Sequence, residues 1–303
     1  MPLFTANTKL LFTGEYAVIF GAKAIVLPLV FSQKLLVEEA QGGNLIWESK
    51  ENNKTWFKTV FSLSPGRKED NIPGRQYIKR LLNAVFELNP SARKRFEGKK
   101  ITIEADFPLR WGIGSSSTLT SLLARYANID PFELNRKISQ GSGYDVVAAE
   151  QHQSFLFQKT DDTYNVEKVI LDYPFKDKLY FIYTGKKEDT AANLRKMNLN
   201  SNNTATEDIR RISAISEALV KVKDLDTFEN LILEHEKIIS NMTGQEIAAS
   251  KYLPDFDGVV KSLGAWGGDF LLVTWRKSKE ELQKYLEKNN MTTFFKWKEI
   301  VLK

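Results

Sequence analysis

The sequence contains no cysteine and only two histidines among its 303 residues. The absence of cysteine excludes disulfide bonds and zinc sites built from cysteine. No apolar run approaches the roughly 18–20 residues that a membrane-spanning helix needs. The first residues, 1–9, also contain no basic region followed by an apolar run, so no signal peptide is expected. These absences favour a cytoplasmic protein.

Two common nucleotide-binding motifs are missing as well. The Gly/Ser stretch 108–118 does not end in Gly-Lys-Ser/Thr, and it lacks the three-glycine spacing of a dinucleotide fingerprint. The net charge is +5, but basic and acidic residues alternate, as in 277–281. We therefore expect no nucleic-acid partner and no membrane partner, and a small anionic substrate suits the mild positive charge. We expect a monomer or a homodimer.

The chain is long enough for two domains, and 42% of its residues are hydrophobic, which supports a sizeable core. Strands and helices alternate irregularly, and the second half combines few strands with long helices, which indicates an α+β fold. The apolar spacing predicts helices at 74–88, 131–139 and 279–288. The predicted strands are 9–13, 24–29, 33–39, 44–48, 55–61, 100–106, 154–158, 166–171, 179–183, 270–275 and 293–300.

The most informative stretch is Pro108 to Thr118, which lies between the predicted strand 100–106 and a predicted helix at 119–126. Gly112 and Gly114 allow backbone N–H groups to approach a phosphate closely, and a helix N-terminus favours negative charge. The serines that follow add hydroxyl donors. A glycine turn with a serine N-cap is the alternative interpretation.

Three further glycine turns follow predicted strands or open predicted helices. They are Gly14-Glu15-Tyr16, the stretch 140–143 and the stretch 264–268. Each turn is a weak signal by itself. Together with the loop at 108–118, they predict one cleft lined by backbone amides.

At these residues the sequence resembles the GHMP kinases, the family named for galactokinase, homoserine kinase, mevalonate kinase and phosphomevalonate kinase. Residues 9–18, 108–118 and 264–269 look like the three family motifs, in order and across almost the whole chain. The motifs are closest to those of phosphomevalonate kinase. The resemblance implies an N-terminal domain at 1–175, similar to ribosomal protein S5 domain 2, and a ferredoxin-like C-terminal domain at 176–303.

The resemblance also implies roles for individual residues. Asp145 would be the catalytic acid that orients or deprotonates the acceptor, paired with Lys9 near the transferred phosphoryl group. ATP and Mg²⁺ would be the cofactors, with Ser116 as a metal ligand. The implied nucleotide-binding residues are Gly112, Ile113, Gly114, Ser115, Ser116 and Ser117. The implied residues of the small-molecule acceptor site are Glu15, Tyr16, Ser142, Gly143, Lys186, Lys187, Thr190, Gly267 and Gly268.

Local alternatives exist for several of these residues. Asp145 would also suit a helix-capping carboxylate, and Lys9 an edge-strand lysine whose charge reaches water. Trp111 would suit the core as well as a place beside the nucleotide. Trp266 stands where the third motif usually has glycine, and Glu133 is the only acid between Asp130 and Gly141 that could take the place of the family's magnesium ligand.

Three functions follow from the resemblance. The first is ATP-dependent phosphotransfer to a small molecule, with mevalonate or phosphomevalonate as the expected acceptor. The second is a protein on the same scaffold that binds nucleotide or ligand without transferring phosphate, which the short segment 118–141 and Trp266 motivate. The third is a diphosphomevalonate decarboxylase, because that enzyme shares the fold. Fold analogy alone does not separate them.

Overall fold

The protein is described here by a computed structural model, which covers residues 2–63, 72–185, 202–264 and 269–303, without side chains at 202–205. These residues form two compact units, and each unit is assembled from separated segments of the chain. The first unit comprises Met1–Thr8, Phe31–Leu109 and Gly114–Gln151. The second comprises Lys9–Val30, Arg110–Ile113 and His152–Lys303. The sequence analysis expected two contiguous domains, 1–175 and 176–303. Because each unit is built from separated segments, the two units do not test that boundary, which stays a prediction.

Both units contain strands and helices. The strands are β1 (Leu3–Leu11), β2 (Ala24–Glu39), β3 (Leu45–Glu51), β4 (Lys54–Phe61), β5 (Lys99–Ala105), β6 (Phe155–Thr160), β7 (Thr163–Lys168), β8 (Leu179–Tyr183), β9 (Val260–Leu263), β10 (Phe270–Thr274) and β11 (Phe294–Lys296). The helices are α1 (Pro73–Leu88), α2 (Arg93–Phe96), α3 (Ser115–Tyr126), α4 (Pro131–Ile138), α5 (Tyr144–Ala148), α6 (Asn202–Lys221), α7 (Leu225–Thr243), α8 (Ala248–Tyr252), α9 (Lys279–Lys288) and α10 (Trp297–Ile300). The α+β class predicted from the sequence is confirmed.

In the first unit, β3 pairs antiparallel with β4 and parallel with β5, and β5 pairs antiparallel with the Gln33–Glu39 part of β2. Helices α1, α3, α4 and α5 pack on one another. The core between sheet and helices contains the fully buried Trp47 and Phe96. Helix α1 turns Leu81, Leu82 and Val85 to this core, because apolar residues at such spacing share one helix face.

In the second unit, residues Ala24–Val26 of β2 pair with β6, and β6 pairs with β7. A separate antiparallel sheet has the strand order β11-β8-β10-β9. Helices α6 and α7 pack against each other, and α7 also contacts β9. The apolar residues of β8 and β10 are fully buried, as their unbroken apolar sequences predict.

Several predicted strands differ from the structure at their ends, and two predictions differ in the kind or number of elements. The stretches 24–29 and 33–39 form one strand, in which Pro28 lies between the part of β2 that pairs with β6 and the part that pairs with β5. The stretch 293–300 is a strand only over Phe294–Lys296. It then becomes α10, because the Glu299 carboxylate accepts the backbone N–H of Lys296 at 2.7 Å in a helix-starting cap.

Within the described ranges, no helix is long and apolar enough to cross a membrane.

Candidate functional site

The Gly/Ser stretch forms the strand, loop and helix that the sequence predicts. Strand β5 leads into the loop, and α3 begins at Ser115 with Gly114 as its N-cap at φ 105°. This backbone angle strongly favours glycine. The Ser117 hydroxyl donates to the Gly114 carbonyl at 2.9 Å and so fixes the first turn. The first N–H groups of a helix have no partner within it, so this turn presents donors.

A cavity of about 180 Å³ lies in the first unit beside the start of α3. Helices α1, α3, α4 and α5 supply its walls, together with the residue that follows α4. The lining residues are Tyr77, Arg80, Ser116, Ser117, Thr120, Asn135, Ile138, Ser139 and Asp145. Almost every one of these side chains is polar, and one cationic and one anionic group are among them. Such a lining suits a small, charged, oxygen-rich ligand.

Asp145 lies in the first turn of α5 and reaches this cavity. The side chain is partly exposed, and its Oδ1 accepts the backbone N–H of Val146 at 3.1 Å. The turn before it depends on Gly143, whose φ is 84° and whose added Cβ would overlap the Phe132 ring. Ser142 is 4% exposed. Glycine at 143 therefore holds Asp145 at the cavity wall.

In the second unit, a backbone hydrogen bond joins Lys9 to the loop residues 110–113. The N–H of Lys9 donates to the carbonyl of Ile113 at 2.9 Å, and the Lys9 side chain is 7% exposed. Lys9 and Asp145 belong to different units, so their pairing stays a prediction.

The loop also contacts the residue that ends the third motif. A Cβ added at Gly112, where φ is 69°, would overlap the carboxylate of Asp269. The ring of Trp111 packs against Phe270 and Phe295, with centroids 6.1 and 5.5 Å apart. Trp111 is partly buried among these aromatic rings, and its place beside a nucleotide stays a prediction. Trp266, Lys186, Lys187, Thr190, Gly267 and Gly268 lie outside the described residues.

A second group of charged residues is entirely buried in the second unit. We call it the charge cluster, and it consists of Glu15, His235, Glu236 and Lys261. Lys261 forms a close ion pair with Glu15 and lies 3.4 Å from an oxygen of Glu236. The backbone N–H of Gly14 donates to Nε2 of His235 at 2.9 Å. These contacts tie the turn after β1 to α7 and β9.

Burial dominates the electrostatics of the charge cluster. It raises the pKa of the Glu15 carboxyl to about 7, although the Lys261 ammonium acts to lower it. Burial also raises the pKa of Glu236 and holds the pKa of His235 well below its usual range. Because Nε2 of His235 accepts a hydrogen bond, the imidazole is neutral with its proton on Nδ1. Two carboxyl groups therefore share one buried cation.

The predicted acceptor-site residues Glu15 and Tyr16 are both buried, at 0% and 5% exposure. Glu15 is engaged by Lys261, and Tyr16 has a backbone φ of 58° and packs in an apolar cluster with Ala17 and Ile212. Contact of either side chain with an acceptor stays a prediction.

Mg²⁺ takes oxygen ligands and is often held by one or two carboxylates together with substrate phosphates. Asp145 and Ser116 line the same cavity and fit such an ion in part. Glu133 is exposed and is not among the lining residues. Among the described residues, no group of three or more His, Cys, Asp or Glu side chains could hold a metal. An ion here would depend mainly on the phosphates of its ligand.

Sequence reasoning missed the residues that α1 and the end of α4 bring to the cavity. The spacing of Tyr77 and Arg80 could have indicated that they lie together, since residues three apart share a helix face. It also missed Lys261, which, like Lys9, is a single lysine within an apolar strand.

The sequence matches no family model and no curated protein. Solved structures do match. A Lin0012 protein from Listeria innocua has a TM-score of 0.73 and 16% identity, over 97% of this chain and 96% of that chain. A Streptococcus pneumoniae phosphomevalonate kinase in complex with phosphomevalonate and AMPPNP has a TM-score of 0.71 and 15% identity, over 97% and 99%. A mevalonate kinase from Methanococcus jannaschii has a TM-score of 0.69 and 18% identity, over 97% and 96%.

These similarities extend over nearly the whole length of each chain. They show that this protein has the two-domain fold of the GHMP kinases. The resemblance found in the sequence motifs is therefore confirmed at the level of the fold.

Proposed function

We propose that this protein is a small-molecule kinase of the GHMP type, which transfers a phosphoryl group from ATP. One observation carries the proposal: Ser116 and Ser117 at the start of α3 and Asp145 at the start of α5 line the same cavity. These residues come from two separate sequence motifs. Their convergence supports the proposal, because donors of the kind that suit a phosphate lie beside a carboxylate, and phosphoryl transfer to a hydroxyl uses both.

The chemistry assigns a task to each group. The N–H groups and hydroxyls at the start of α3 bind phosphate oxygens, and the helix dipole favours their negative charge. The acceptor oxygen forms a bond to the γ-phosphorus while the bond from that phosphorus to the bridging oxygen of ADP breaks. The bridging oxygen keeps the electron pair. Where the acceptor is a hydroxyl, its proton passes to the Asp145 carboxylate. Lys9 supplies positive charge near the transferred group.

ATP is the proposed donor, and the AMPPNP complex of the structurally similar phosphomevalonate kinase supports this choice. Ser116 and Asp145 would contribute oxygen ligands to Mg²⁺, whose charge would offset that of the phosphates. Placing the reactants matters most in such a reaction, because catalysis of phosphoryl transfer depends on positioning and on neutralising charge.

We propose mevalonate or phosphomevalonate as the acceptor. The similar structures include a mevalonate kinase and a phosphomevalonate kinase bound to phosphomevalonate. The motifs at 14–18 and 141–146 favour the phosphorylated acceptor. A phosphate acceptor is already largely ionised at neutral pH. It needs cations more than a base, and Lys186 and Lys187 are the residues that the sequence offers for this.

An assay of ADP release over a panel of acceptors tests the proposal. The panel contains mevalonate, phosphomevalonate, diphosphomevalonate and galactose, each incubated with ATP and Mg²⁺. We expect ADP and a phosphorylated product with one of the first two compounds. Nucleotide binding without turnover on any acceptor would favour the binding-protein alternative. Release of carbon dioxide together with ADP from diphosphomevalonate would identify a decarboxylase instead.

A further inference from the structure

The wall of the cavity that α1 supplies contains an arginine held by an aromatic ring. The guanidinium carbon of Arg80 lies 5.6 Å from the centroid of the Tyr77 ring. The hydroxyl of Tyr77 is hydrogen bonded to the hydroxyl of Ser116 at the start of α3. Tyr77 therefore contacts a cation with its ring and the predicted phosphate loop with its hydroxyl, and both contacts lie at one cavity.

Among the residues that the structure describes, no acidic side chain forms an ion pair with Arg80. The residue also lines a second cavity of about 400 Å³ between α1 and α4, where Lys79 and Lys137 are further cations. Glu87, whose carboxylate lies 3.5 Å from the Lys137 ammonium, is the one acidic residue in the lining of this second cavity. The lining of this second cavity therefore contains three cations and one acid, and such an excess of positive charge attracts an anion.

We propose that Arg80 binds the phosphate chain of the ligand in this cavity, and that Tyr77 is the positioning residue that holds Arg80 beside Ser116. A planar guanidinium can donate two parallel hydrogen bonds to phosphate oxygens. The described residues around the cavity offer Asp145 as their one carboxylate for a metal, so Arg80 supplies part of the positive charge that the phosphates need. This inference rests on the proposed function for the identity of the ligand as a nucleotide.

Calorimetric titration with inorganic tripolyphosphate tests the inference, because this probe carries the phosphate chain without the nucleoside. The titration is run in EDTA and again with Mg²⁺, and it is repeated with AMPPNP. Arg80→Gln should weaken tripolyphosphate binding about 10- to 100-fold, the usual value of a hydrogen bond to a charged group. Arg80→Lys should recover only part of the loss, since lysine keeps the charge without the planar fork.

Two comparisons separate this role from a general effect of charge or folding. Lys79→Gln removes a neighbouring cation on the same helix and should change the affinity less than about threefold. Tyr77→Phe keeps the ring that contacts Arg80 and loses the hydroxyl contact with Ser116, so it should weaken binding of the probe less than Tyr77→Leu does. Tyr77→Leu removes the ring and should weaken binding about two- to fivefold. Circular dichroism checks that each variant is folded.

The outcomes are distinct. Equal losses in Arg80→Gln and Lys79→Gln would overturn the role of Arg80, and so would an unchanged protein that does not bind tripolyphosphate. If the unchanged protein binds tripolyphosphate and Arg80→Gln loses it, while no acceptor yields ADP, the inference stands and the proposed kinase function fails.

Discussion

The cavity of the first unit and the charge cluster of the second unit both contain a carboxylate from a glycine-bearing motif. Asp145 is partly exposed and lines a polar cavity. Glu15 is 0% exposed and is ion paired with Lys261, which is equally buried. The same chemical group is thus open to a ligand in one unit and enclosed in the other. The surroundings of a motif carboxylate, and not the motif alone, therefore decide whether the carboxylate can react with a ligand.

The largest expected effect distinguishes the two carboxylates by turnover. Asp145→Asn should lower kcat about 100- to 10,000-fold with a hydroxyl acceptor, because a positioned base is lost. Steady-state kinetics on the acceptor found in the panel measures this. Glu15→Gln, which has nearly the same shape, should lower kcat less than about tenfold.

The matched control on the first unit is Glu133→Gln, which changes an exposed acid outside the cavity. It should leave kcat unchanged. If a folded Glu15→Gln protein loses as much turnover as Asp145→Asn, Glu15 contacts the acceptor and the contrast between the two carboxylates is wrong. With a phosphorylated acceptor, the order should be reversed. Substitutions at Lys186 and Lys187 should then raise the KM for the acceptor, and their effect on activity should be larger than that of Asp145→Asn.

The next effect concerns the stability of the charge cluster. Lys261→Met should lower the free energy of unfolding by about 3–5 kcal/mol, since it leaves Glu15 and Glu236 buried without their cation. Urea unfolding measures the loss. Lys277→Met is the matched control, because Lys277 forms an exposed ion pair with Asp257 at 2.7 Å. That change should leave the free energy of unfolding almost unchanged, because exposed ion pairs contribute little to stability. If both variants lose the same free energy of unfolding, burial does not make the Lys261 ion pair more important for stability than the exposed Lys277 pair.

A smaller effect is expected at the turn before Asp145. Gly143→Ala combines an unfavourable φ with overlap of the Phe132 ring and should cost about 2–4 kcal/mol. Gly42 has a similar φ of 82° but no atom within 4 Å of an added Cβ, so Gly42→Ala should cost about 1–2 kcal/mol. Chemical unfolding of both variants isolates the packing contribution. Identical costs would mean that the Phe132 contact does not shape the turn.

The last expected effect is a pH dependence of stability. The pKa of Glu15 is about 7 in the folded protein against an ordinary 4.5, so folding keeps a proton that the unfolded chain loses above pH 4.5. This contribution to stability is complete below pH 4.5 and is lost as the pH rises to 7, by on the order of 1 kcal/mol for each pH unit.

Glu15→Gln has no such proton, so its stability relative to the unchanged protein should improve between pH 4.5 and 7. His235 acts in the opposite direction in both proteins, because its lowered pKa makes folding more favourable as the pH rises toward 6.5. Burial, the main cause of this lowered pKa, is the same in both proteins, so the contribution of His235 to their difference is small. Unfolding free energies of both proteins at several pH values measure the effect, and parallel curves would contradict it.

The two regions also differ in how far the sequence could predict them. The loop at 112–117 and the turn at 143 were found because glycine marks backbone angles that other residues avoid. Asp145 was found because it follows such a turn. Tyr77 and Arg80 were missed, since a helix face that lines a cavity has the same residue pattern as one that faces solvent.

The charge cluster was missed for a different reason. The residues of the charge cluster are far apart in the sequence. More than two hundred residues separate Glu15 from Lys261, and only the tertiary fold brings these two and Glu236 together. A buried charge cannot be distinguished from an exposed one by residue type. Strand 24–39 shows the same limit, because proline usually interrupts a strand and here only separates two pairing partners.

Hydrogen–deuterium exchange with and without AMPPNP tests the central claim most directly, that the phosphates of the nucleotide bind at the cavity of the first unit and not at the charge cluster. Peptides covering 76–81 and 112–120 should become more protected when AMPPNP binds. Peptides covering 232–238, which contain His235 and Glu236, should exchange at the same rate in both states. Protection of the charge cluster without protection at the start of α3 would contradict the account.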